Sequence, residues 1–485
     1  MKLEQLLEGV PFTLVQGSLD TEVQDIIYDS RKAAPGLAFV CIVGTQRDSH
    51  EFAADCAAKG VSVLVIQHDI DLSAMPGVTV VKVESSRYAM ALMSGNLFGN
   101  PSRQMTMIGV TGTKGKTTTT HMIKSVLEAA GKKVGMIGTN GIYFMGRHQE
   151  TANTTPESYE LQKTFRQFLD AGCDVALMEV SSQGLMMDRV AGVHYDVGVF
   201  TNLTQDHLDF HKTMESYCDA KAILFRNCSV GVVNADDPWT PRLLKDAACR
   251  VMTYAERAEA DLRAEHIALS ADGIAFDAVT ETERVPVRVH IPGGFMVYNT
   301  LDVLGAALAL GIPLKDSAAV LAGVPHVQGR VEVVPTPGKD YTILIDYAHT
   351  PDSMVNVLRT VKEFAKGRTV AVFGCGGDRD RTKRPLMGKA AADWSDFAVV
   401  TTDNPRTEQP EAIIEEILPG FAGSATPYQV VVDRVEAIHW AMDHAQKEDV
   451  IVLCGKGHET YQEINHKKYH MDEREIVADY LKSGH

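Results

Sequence analysis

The chain has 485 residues, of which 45% are hydrophobic and 23% charged, and this length suits roughly three soluble domains. A formal net charge of −16 disfavours nucleic acid or an anionic membrane as the main partner. No signal-peptide pattern or long apolar run occurs, and the eight cysteines show no CxxC spacing, so we expect a cytoplasmic protein with reduced thiols and no membrane span.

The predicted elements form three blocks. Residues 1–101 contain short apolar strands around a helical segment, which indicates a small α/β domain. Residues 102–328 alternate strands with helices and predict a doubly wound, mostly parallel sheet. Residues 329–485 repeat this alternation and predict a Rossmann-like C-terminal domain. Such sheets bind ligands beyond the carboxyl ends of their strands, where we therefore expect the chemistry.

The second block opens with a candidate phosphate-binding loop, "GVTGTKGKTTTTHM" at 109–122, between a predicted strand and a predicted helix. Backbone N–H groups and a helix N-terminus in this context cradle phosphate, and we expect ATP. Lys116 is expected to reach the β- and γ-phosphates and Thr117 to bind Mg²⁺. The match is imperfect, because Val110 stands where a P-loop has its first glycine. A glycine turn without a ligand is the alternative.

Acidic and imidazole groups follow two later strands of this block. Glu179, in "LMEV", ends one predicted strand, and His207 follows "VFTNLTQD". A carboxylate and an imidazole at neighbouring strand ends can hold Mg²⁺ and bridge it to phosphate, although each alone is more often structural. Lys221 in "YCDAKAILF" has the simple alternative of a surface lysine, and Asn299 in "VYNTLDVL" that of a helix cap.

The pattern G-x-x-G-T-x-G-K-T resembles the nucleotide loop of the Mur ligases, the ATP-dependent amide-forming enzymes of peptidoglycan synthesis, and the resemblance runs through all three blocks. It implies two Mg²⁺ ions and a Lys221 that CO₂ converts to a carbamate. The implied catalytic residues are Lys116, Glu179, His207 and Lys221, and the implied metal site is Thr117, Glu179, His207 and Lys221. The implied ATP contacts are Gly112, Thr113, Lys114, Gly115, Lys116, Thr117, Thr118, Asn299, Arg330 and Asp346.

The first block and the segment "ANTTPES" resemble the family's sites for a uridine-diphosphate muramoyl dipeptide. The implied contacts are Ser30, Thr45, Gln46, Asn153, Thr154, Thr155, Ser181 and Arg189. Ser30 is a safer assignment than the Thr45–Gln46 loop, which varies among members. Met187 stands where some members have a polar residue, so we expect one hydrogen bond to be missing.

The third block carries the motif "DNPR", which as a plain turn would need no ligand. The resemblance implies instead that this motif marks the members that add meso-diaminopimelate, while lysine-adding members lack its arginine. Two arginines suit the two carboxylates of that amino acid, and Glu459 would bind its distal ammonium. The implied contacts are Arg379, Asp403, Asn404, Pro405, Arg406, Gly455 and Glu459.

The resemblance thus implies a monomeric ligase that acts on small molecules. It would phosphorylate the D-Glu γ-carboxylate of UDP-N-acetylmuramoyl-L-Ala-D-Glu with ATP, and the amine of meso-diaminopimelate would then attack the acyl phosphate. Four alternatives stay open at this point: the same reaction with L-lysine, a folylpolyglutamate-synthetase-type ligase, a P-loop phosphotransferase whose product keeps the phosphate, and a binding protein without activity.

Overall fold

The computed structural model describes residues 1–44, 47–270, 272–324, 329 and 331–483 and, of Asp209, the backbone alone. The chain divides into two compact units, Met1–Leu262 with Asp302–Leu314, and Arg263–Leu301 with Lys315–His485. The α/β fold class is confirmed, whereas the boundaries at 101/102 and 328/329 stay a prediction. Within the described residues, no helix is both long and apolar enough to cross a membrane.

The first unit begins with a five-stranded sheet in the order β1-β5-β4-β3-β2, in which only the edge strand β1 runs antiparallel to its neighbour. Every residue of β4, "VLVI", is buried, as a strand covered on both faces requires. The strands are β1 Phe12–Gln16, β2 Asp25–Ile27, β3 Leu37–Val40, β4 Val63–Ile66 and β5 Thr79–Val83, and the helices are α1 Leu3–Leu6, α2 Ala53–Ala58 and α3 Ser86–Leu97.

The same unit continues with a larger sheet in the order β13-β12-β11-β6-β10-β7-β8-β9. Its strands from β13 to β7 are parallel, and β8 and β9 add an antiparallel edge. The strands are β6 Thr106–Thr111, β7 Val134–Gly138, β8 Gly141–Phe144, β9 Arg147–Gln149, β10 Val175–Glu179, β11 Tyr195–Phe200, β12 Cys228–Asn234 and β13 Arg250–Ala255. The helices are α4 Lys116–Ala129, α5 Ser158–Asp170, α6 Ser182–Met186, α7 Leu208–His211, α8 Met214–Arg226 and α9 Thr240–Leu243.

The turn from β6 into α4 depends on two glycines. Gly115 precedes the helix with a φ of 87°, in the left-handed region that favours glycine. Gly112 has a φ of 149°, and a Cβ there would lie 1.9 Å from Oγ1 of Thr201 at the end of β11. The loop can therefore close against the neighbouring strand only with glycine at position 112.

The second unit contains an antiparallel meander of β14, β15 and β16 and a six-stranded sheet in the order β17-β18-β22-β19-β20-β21. In the latter only the edge strand β17 is antiparallel. The strands are β14 Leu262–Ser270, β15 Gly273–Val279, β16 Arg284–Val289, β17 Glu332–Val334, β18 Thr342–Asp346, β19 Thr369–Phe373, β20 Phe397–Val400, β21 Tyr428–Val430 and β22 Val450–Cys454, with a separate hairpin of β23 Tyr461–Ile464 and β24 Lys467–His470.

The helices of this part of the chain begin with α10, through which the division between the units passes. They are α10 Phe295–Ala309, α11 Leu314–Leu321, α12 Pro351–Phe364, α13 Lys383–Trp394, α14 Pro410–Ile417, α15 Arg434–Asp443 and α16 Glu473–Lys482. Asn299 lies inside α10 with its side chain buried, so the alternative that it caps a helix start is wrong. All eight cysteines are free, as expected.

Candidate active site

The predicted phosphate-binding loop is tied to the end of β11. The N–H of Thr113 donates to the carbonyl oxygen of Asn202 at 2.8 Å, and the N–H of Lys114 donates to Oδ1 of the same residue at 3.1 Å. Nζ of Lys116 donates back to the carbonyl oxygens of Gly112 and Thr113, both at 2.9 Å. The loop thus stands as a closed turn at the carboxyl edge of the sheet, with Thr117 and Thr118 buried in the first turn of α4.

Lys221 is not a surface lysine. It is 1% exposed, and its Nζ donates to the carbonyl oxygen of Gly112 at 2.8 Å and lies 4.4 Å from the centre of the Tyr217 ring. Burial and then the positive charge of Lys116 hold the pKa of Lys221 well below its usual range. The lowered pKa favours the neutral amine, which is the nucleophilic form of lysine, over the ammonium form.

Lys116 and Lys221 donate to the same carbonyl oxygen, that of Gly112. If both amines were protonated, two ammonium groups, one of them fully buried, would share one oxygen and repel each other strongly where the dielectric constant is low, which is why Lys116 lowers the pKa of Lys221. An anion beside them, or the loss of one positive charge, relieves that repulsion. The arrangement is therefore suited to phosphate.

Glu179 lies at the carboxyl end of β10 and is 1% exposed. Its Oε1 accepts from the N–H of Thr139 at 2.9 Å and its Oε2 from Oγ1 of the same residue at 3.1 Å. Among the described residues, none forms an ion pair with this carboxylate. A buried carboxylate with neutral donors only is suited to a cation, and oxygen is the donor atom that Mg²⁺ prefers.

His207 has the left-handed φ of 52°, and its side chain is about half exposed. Its Nε2 lies 3.8 Å from Oδ2 of Asp206. No contact in the described part of the chain joins His207 to Glu179, so the structure leaves the predicted pairing of these two residues as metal ligands a prediction.

A polar wall adjoins Glu179. Oγ1 of Thr155 donates to the carbonyl oxygen of Glu179 at 3.0 Å and accepts from the N–H of Ser181 at 2.9 Å. Nη1 of Arg189 donates to the carbonyl oxygen of Thr155 at 2.9 Å, and its Nη2 forms a 2.8 Å ion pair with Glu157. The structure thus joins Thr155, Ser181 and Arg189, which the sequence predicted as one substrate wall.

The remaining predicted wall residues lie close by or at the surface. Oγ1 of Thr154 lies 3.0 Å from Oγ1 of Thr139, the residue that binds Glu179, and Asn153 is exposed. Sδ of Met187 lies 3.9 Å from Nη2 of Arg189. A thioether, which is only a weak acceptor, therefore occupies the position where some family members have a polar residue.

In the first block, Ser30 opens a short 3₁₀ helix, Ser30–Lys32. The carboxylate of Asp29 caps this helix by accepting from the N–H of Arg31 and also pairs with the Arg31 guanidinium, and these hydrogen bonds lower the pKa of Asp29 to about 2. Thr45 and Gln46 lie outside the described residues.

The motif "DNPR" follows β20 and forms part of a buried polar cluster in the second unit. Lys456 is fully buried, and its Nζ donates to Oδ1 of Asn404 at 2.6 Å and lies 3.3 Å from Oε2 of Glu459. Nδ2 of Asn404 donates to the same Oε2 at 2.9 Å. A Cβ at Gly455 would lie 2.5 Å from Oδ2 of Asp403, so only glycine fits against that carboxylate. The plain-turn alternative does not explain such a cluster.

The two predicted arginines border one glycine. A Cβ at Gly376 would lie 3.0 Å from Nη1 of Arg406 and 3.7 Å from Cγ of Arg379. Pro405 is buried beside Arg406, and its carbonyl oxygen lies so close to Gly377 that a Cβ there would come within 1.9 Å. The structure thus brings Arg379, Pro405 and Arg406 together around Gly376 and Gly377, and their role as amino-acid contacts stays a prediction.

Two predicted ATP contacts of the later chain can be described. Asp346 ends β18, and its carboxylate accepts from the N–H groups of Val331 and Ala348, both at 2.9 Å. Nδ2 of Asn299 lies 3.5 Å from Sδ of Met296. Arg330 lies outside the described residues.

Three residues at these sites were missed by the sequence analysis: Thr139, Glu157 and Lys456. Lys456 lies inside the motif "CGKGHE", and its position between two assigned residues was a usable signal. Glu157 likewise lies inside the motif "ANTTPES", whereas Thr139 contacts Glu179, a partner distant in sequence that no local pattern indicates.

Comparison with known proteins gives consistent matches. The family model for the Mur ligase middle domain matches residues 110–307, and that for the Mur ligase glutamate ligase domain matches residues 329–457. A UDP-N-acetylmuramoyl-L-alanyl-D-glutamate–2,6-diaminopimelate ligase from Clostridium botulinum is 45% identical over 99% of this chain and 100% of its own. A ligase of the same name from Clostridium acetobutylicum is 46% identical over 99% of both chains. A solved structure of a ligase of that name has a TM-score of 0.76 and 29% identity, and covers 100% of this chain and 99% of its own.

Proposed function

Because the chain belongs to the Mur ligase family, we propose that it is an ATP-dependent ligase that joins meso-diaminopimelate to the D-Glu γ-carboxylate of UDP-N-acetylmuramoyl-L-Ala-D-Glu. ADP and phosphate are the other products. The observation that carries this proposal is identity above 40% along the whole chain to ligases of that name, combined with the buried cluster around the motif "DNPR".

In the first step, the D-Glu carboxylate attacks the γ-phosphorus of ATP, and the bond to the leaving ADP oxygen breaks. Lys116 binds the phosphates at the loop and stabilises the charge that spreads over the transferring group. Glu179, with Thr117 and His207, would hold Mg²⁺, which supplies positive charge at the phosphate oxygens. A second ion would be held near Lys221 once that residue is carbamylated.

The carbamate supplies a further anion. The ammonium group of Lys221 first loses one proton to water. The neutral amine then attacks CO₂, a C–N bond forms, and a second proton leaves to water, so that over both steps the side chain exchanges a positive charge for a negative one. Burial beside Lys116 favours this exchange, because the two lysines share the carbonyl oxygen of Gly112.

In the second step, an amine of diaminopimelate attacks the carbonyl carbon of the acyl phosphate, and phosphate leaves the tetrahedral intermediate. Arg406 and Arg379 bind carboxylate groups of the amino acid, because a planar guanidinium pairs with a carboxylate through two hydrogen bonds. Glu459, fixed by Asn404 and Lys456, accepts from an ammonium group. Exclusion of water protects the acyl phosphate from hydrolysis.

The nucleotide substrate binds along the first unit. Thr155, Ser181 and Arg189 contact the muramoyl dipeptide, which brings its terminal carboxylate to the phosphate-binding loop. Ser30 contacts the uridine-diphosphate end, as do Thr45 and Gln46 by resemblance.

Phosphate release tests this proposal directly. Phosphate should accumulate only when the UDP-muramoyl dipeptide, ATP, Mg²⁺ and meso-diaminopimelate are all present, and the new amide should be visible by mass spectrometry. Equal turnover with L-lysine would support the lysine alternative, and turnover of dihydrofolate with glutamate would support the folylpolyglutamate-synthetase alternative. A phosphorylated final product would support a phosphotransferase.

A further inference from the structure

The guanidinium group of Arg406 is held on two sides by this chain. Its Nε donates to Oε2 of Glu463 at 3.0 Å, and its Nη1 donates to the carbonyl oxygen of Gly377 at 2.8 Å. The side chains of Arg406 and Glu463 are 17% and 23% exposed, so both are largely shielded from water. Because all five N–H groups of arginine lie in one plane, two such contacts fix the plane of the whole group.

The backbone of Arg406 is held by the same segment. Its N–H donates to the carbonyl oxygen of Glu463 at 3.0 Å, and its own carbonyl oxygen accepts from the N–H of Asn465 at 2.8 Å. The two bonds form a short parallel bridge between Arg406 and Ile464 of β23. Arg406 has a φ of 52°, a left-handed conformation that non-glycine residues rarely adopt and that surrounding contacts must maintain.

Glu463 is also connected to the residues that shape the amino-acid site. Its N–H donates to Oδ1 of Asn404 at 2.8 Å, the atom that also accepts from Nζ of Lys456. Asn404 in turn donates to Glu459. One residue of the hairpin therefore contacts the predicted carboxylate-binding arginine and, through Asn404, the predicted ammonium-binding glutamate.

We propose that Glu463 is a positioning residue, which aligns the Arg406 guanidinium for the distal carboxylate of the amino-acid substrate and thereby sets the selectivity for a diaminodicarboxylic acid. This inference rests on the proposed function. A free arginine side chain samples many rotamers, and its ordering on binding weakens affinity. An arginine held at Nε and Nη1 before the substrate arrives avoids that loss. Within the described residues, nothing accepts from Nη2, and Nη1 has a second N–H, so we assign these two nitrogens to the substrate carboxylate.

A double-mutant cycle tests this role. Glu463→Ala should raise the KM for meso-diaminopimelate about tenfold and leave the KM for ATP within about twofold. The same change in an Arg406→Ala background should have almost no further effect, because Glu463 acts through that arginine. Glu463→Gln, whose amide oxygen still accepts from Nε, should stay within about threefold of the wild type. Equal effects of Glu463→Ala with and without Arg406 would overturn the proposal.

Glu475→Ala is the matched control. It removes another carboxylate that pairs with the hairpin, through His470 of β24, but this pair is exposed and does not involve Arg406. Its KM for meso-diaminopimelate should equal that of the wild type. A tenfold rise in this variant too would show that any loosening of the hairpin has the same effect, and would overturn the specific role of Glu463.

A spectroscopic measurement separates this inference from the proposed function. In protein labelled with ¹⁵N-arginine, the Nε–H resonance of Arg406, assigned by its loss in Arg406→Lys, should be protected from exchange without any substrate. It should persist in Glu463→Gln and disappear in Glu463→Ala. An unchanged resonance in Glu463→Ala would overturn the positioning role. If the resonance were lost in Glu463→Ala but the wild type did not turn over diaminopimelate, the proposed function alone would be refuted and the positioning role would stand.

Discussion

At the scale of single residues, the buried Lys221 of α8 is the most unusual ionisable group beside the phosphate-binding loop. Its amine shares the carbonyl oxygen of Gly112 with Lys116, and burial lowers its pKa. A lysine kept for packing alone would more easily be replaced by an apolar residue, because a buried amine carries a large desolvation cost. The proposed reaction of this amine with CO₂ would account for a lysine at such a position.

We therefore expect Lys221→Ala to lower kcat at least about 100-fold, because the site loses an anion that completes the surroundings of Mg²⁺. Short carboxylates added to this variant should partly restore kcat. The exposed Lys132 provides the control, since Lys132→Ala should leave activity unchanged. With ¹³C-bicarbonate, the wild type should show a carbamate resonance in ¹³C NMR that Lys221→Ala lacks. An active wild type without that resonance would contradict the prediction.

Arg406 is the residue on which amino-acid selectivity is expected to depend. Diaminopimelate differs from lysine by one distal carboxylate, and lysine would leave the guanidinium without that partner. An unpaired buried charge costs about 2–5 kcal/mol, and we expect the lower end because Glu463 remains as a partner. The wild type should therefore prefer meso-diaminopimelate to lysine by a factor of about 30 or more in kcat/KM.

The corresponding variant is Arg406→Ala. It should lose most of its turnover of diaminopimelate through a higher KM for the amino acid, with the KM for ATP little changed. It need not gain activity with lysine, because Arg379 and Glu459 still shape the site. Steady-state kinetics with both amino acids measures the ratio, and a variant that keeps the full preference would show that "DNPR" does not set selectivity.

At the scale of elements, the loop between β6 and α4 depends on backbone geometry more than on side chains. Gly112→Ala would place a Cβ 1.9 Å from Oγ1 of Thr201, at a φ of 149°. The loop must shift, and the carbonyl oxygen that orients both lysines shifts with it. We expect a loss of about 100-fold or more in kcat/KM for ATP, as misplacement by about 1 Å can cause. Gly77→Ala, where a Cβ meets nothing within 4 Å, should be neutral.

The elements also show how far the sequence could predict this protein. The start of α4 at Lys116 and the strands around it follow from local patterns of apolar residues and glycine, and the structure has them there. The sequence analysis did not predict the 3₁₀ helix Pro101–Gln104, which begins at the predicted boundary between residues 101 and 102. The ion pairs of Glu463 and Glu157 could not be predicted, because each carboxylate pairs with an arginine that only the folded chain brings near.

At the scale of the whole molecule, the first unit joins the N-terminal sheet to the larger sheet through polar side chains. The phenol of Tyr159 donates to Asp25 at 2.9 Å, and that of Tyr28 donates to Glu160 at 2.8 Å. Burial, and then the partner carboxylate, raises the pKa of both phenols, so they remain hydrogen-bond donors at neutral pH. These hydrogen bonds join β2 and the following Tyr28 to helix α5 within the first compact unit.

Glu157 connects this junction to the substrate wall. Its carboxylate pairs with Arg87 of α3 at 3.1 Å and with Arg189 at 2.8 Å, and Arg189 holds the carbonyl oxygen of Thr155. Glu157→Ala leaves two largely shielded guanidinium groups without their carboxylate, and should lower the free energy of unfolding by about 1.5–3 kcal/mol. The KM for the UDP-muramoyl dipeptide should rise about tenfold, because Arg189 loses its orientation, while the KM for meso-diaminopimelate should not change.

Asp170→Ala is the control for this prediction, because it breaks an exposed ion pair between Asp170 and Arg166, which both lie on α5. It should change the free energy of unfolding by less than about 0.5 kcal/mol. Thermal unfolding followed by tryptophan fluorescence gives the stability, and phosphate release at varied nucleotide substrate gives the KM. If Glu157→Ala destabilised the protein and left the KM for the nucleotide unchanged, the carboxylate would serve the junction alone. If both values matched those of Asp170→Ala, the junction would not depend on Glu157. A change in both, confined to Glu157→Ala, is expected because the same carboxylate holds the two sheets and the wall that binds the substrate.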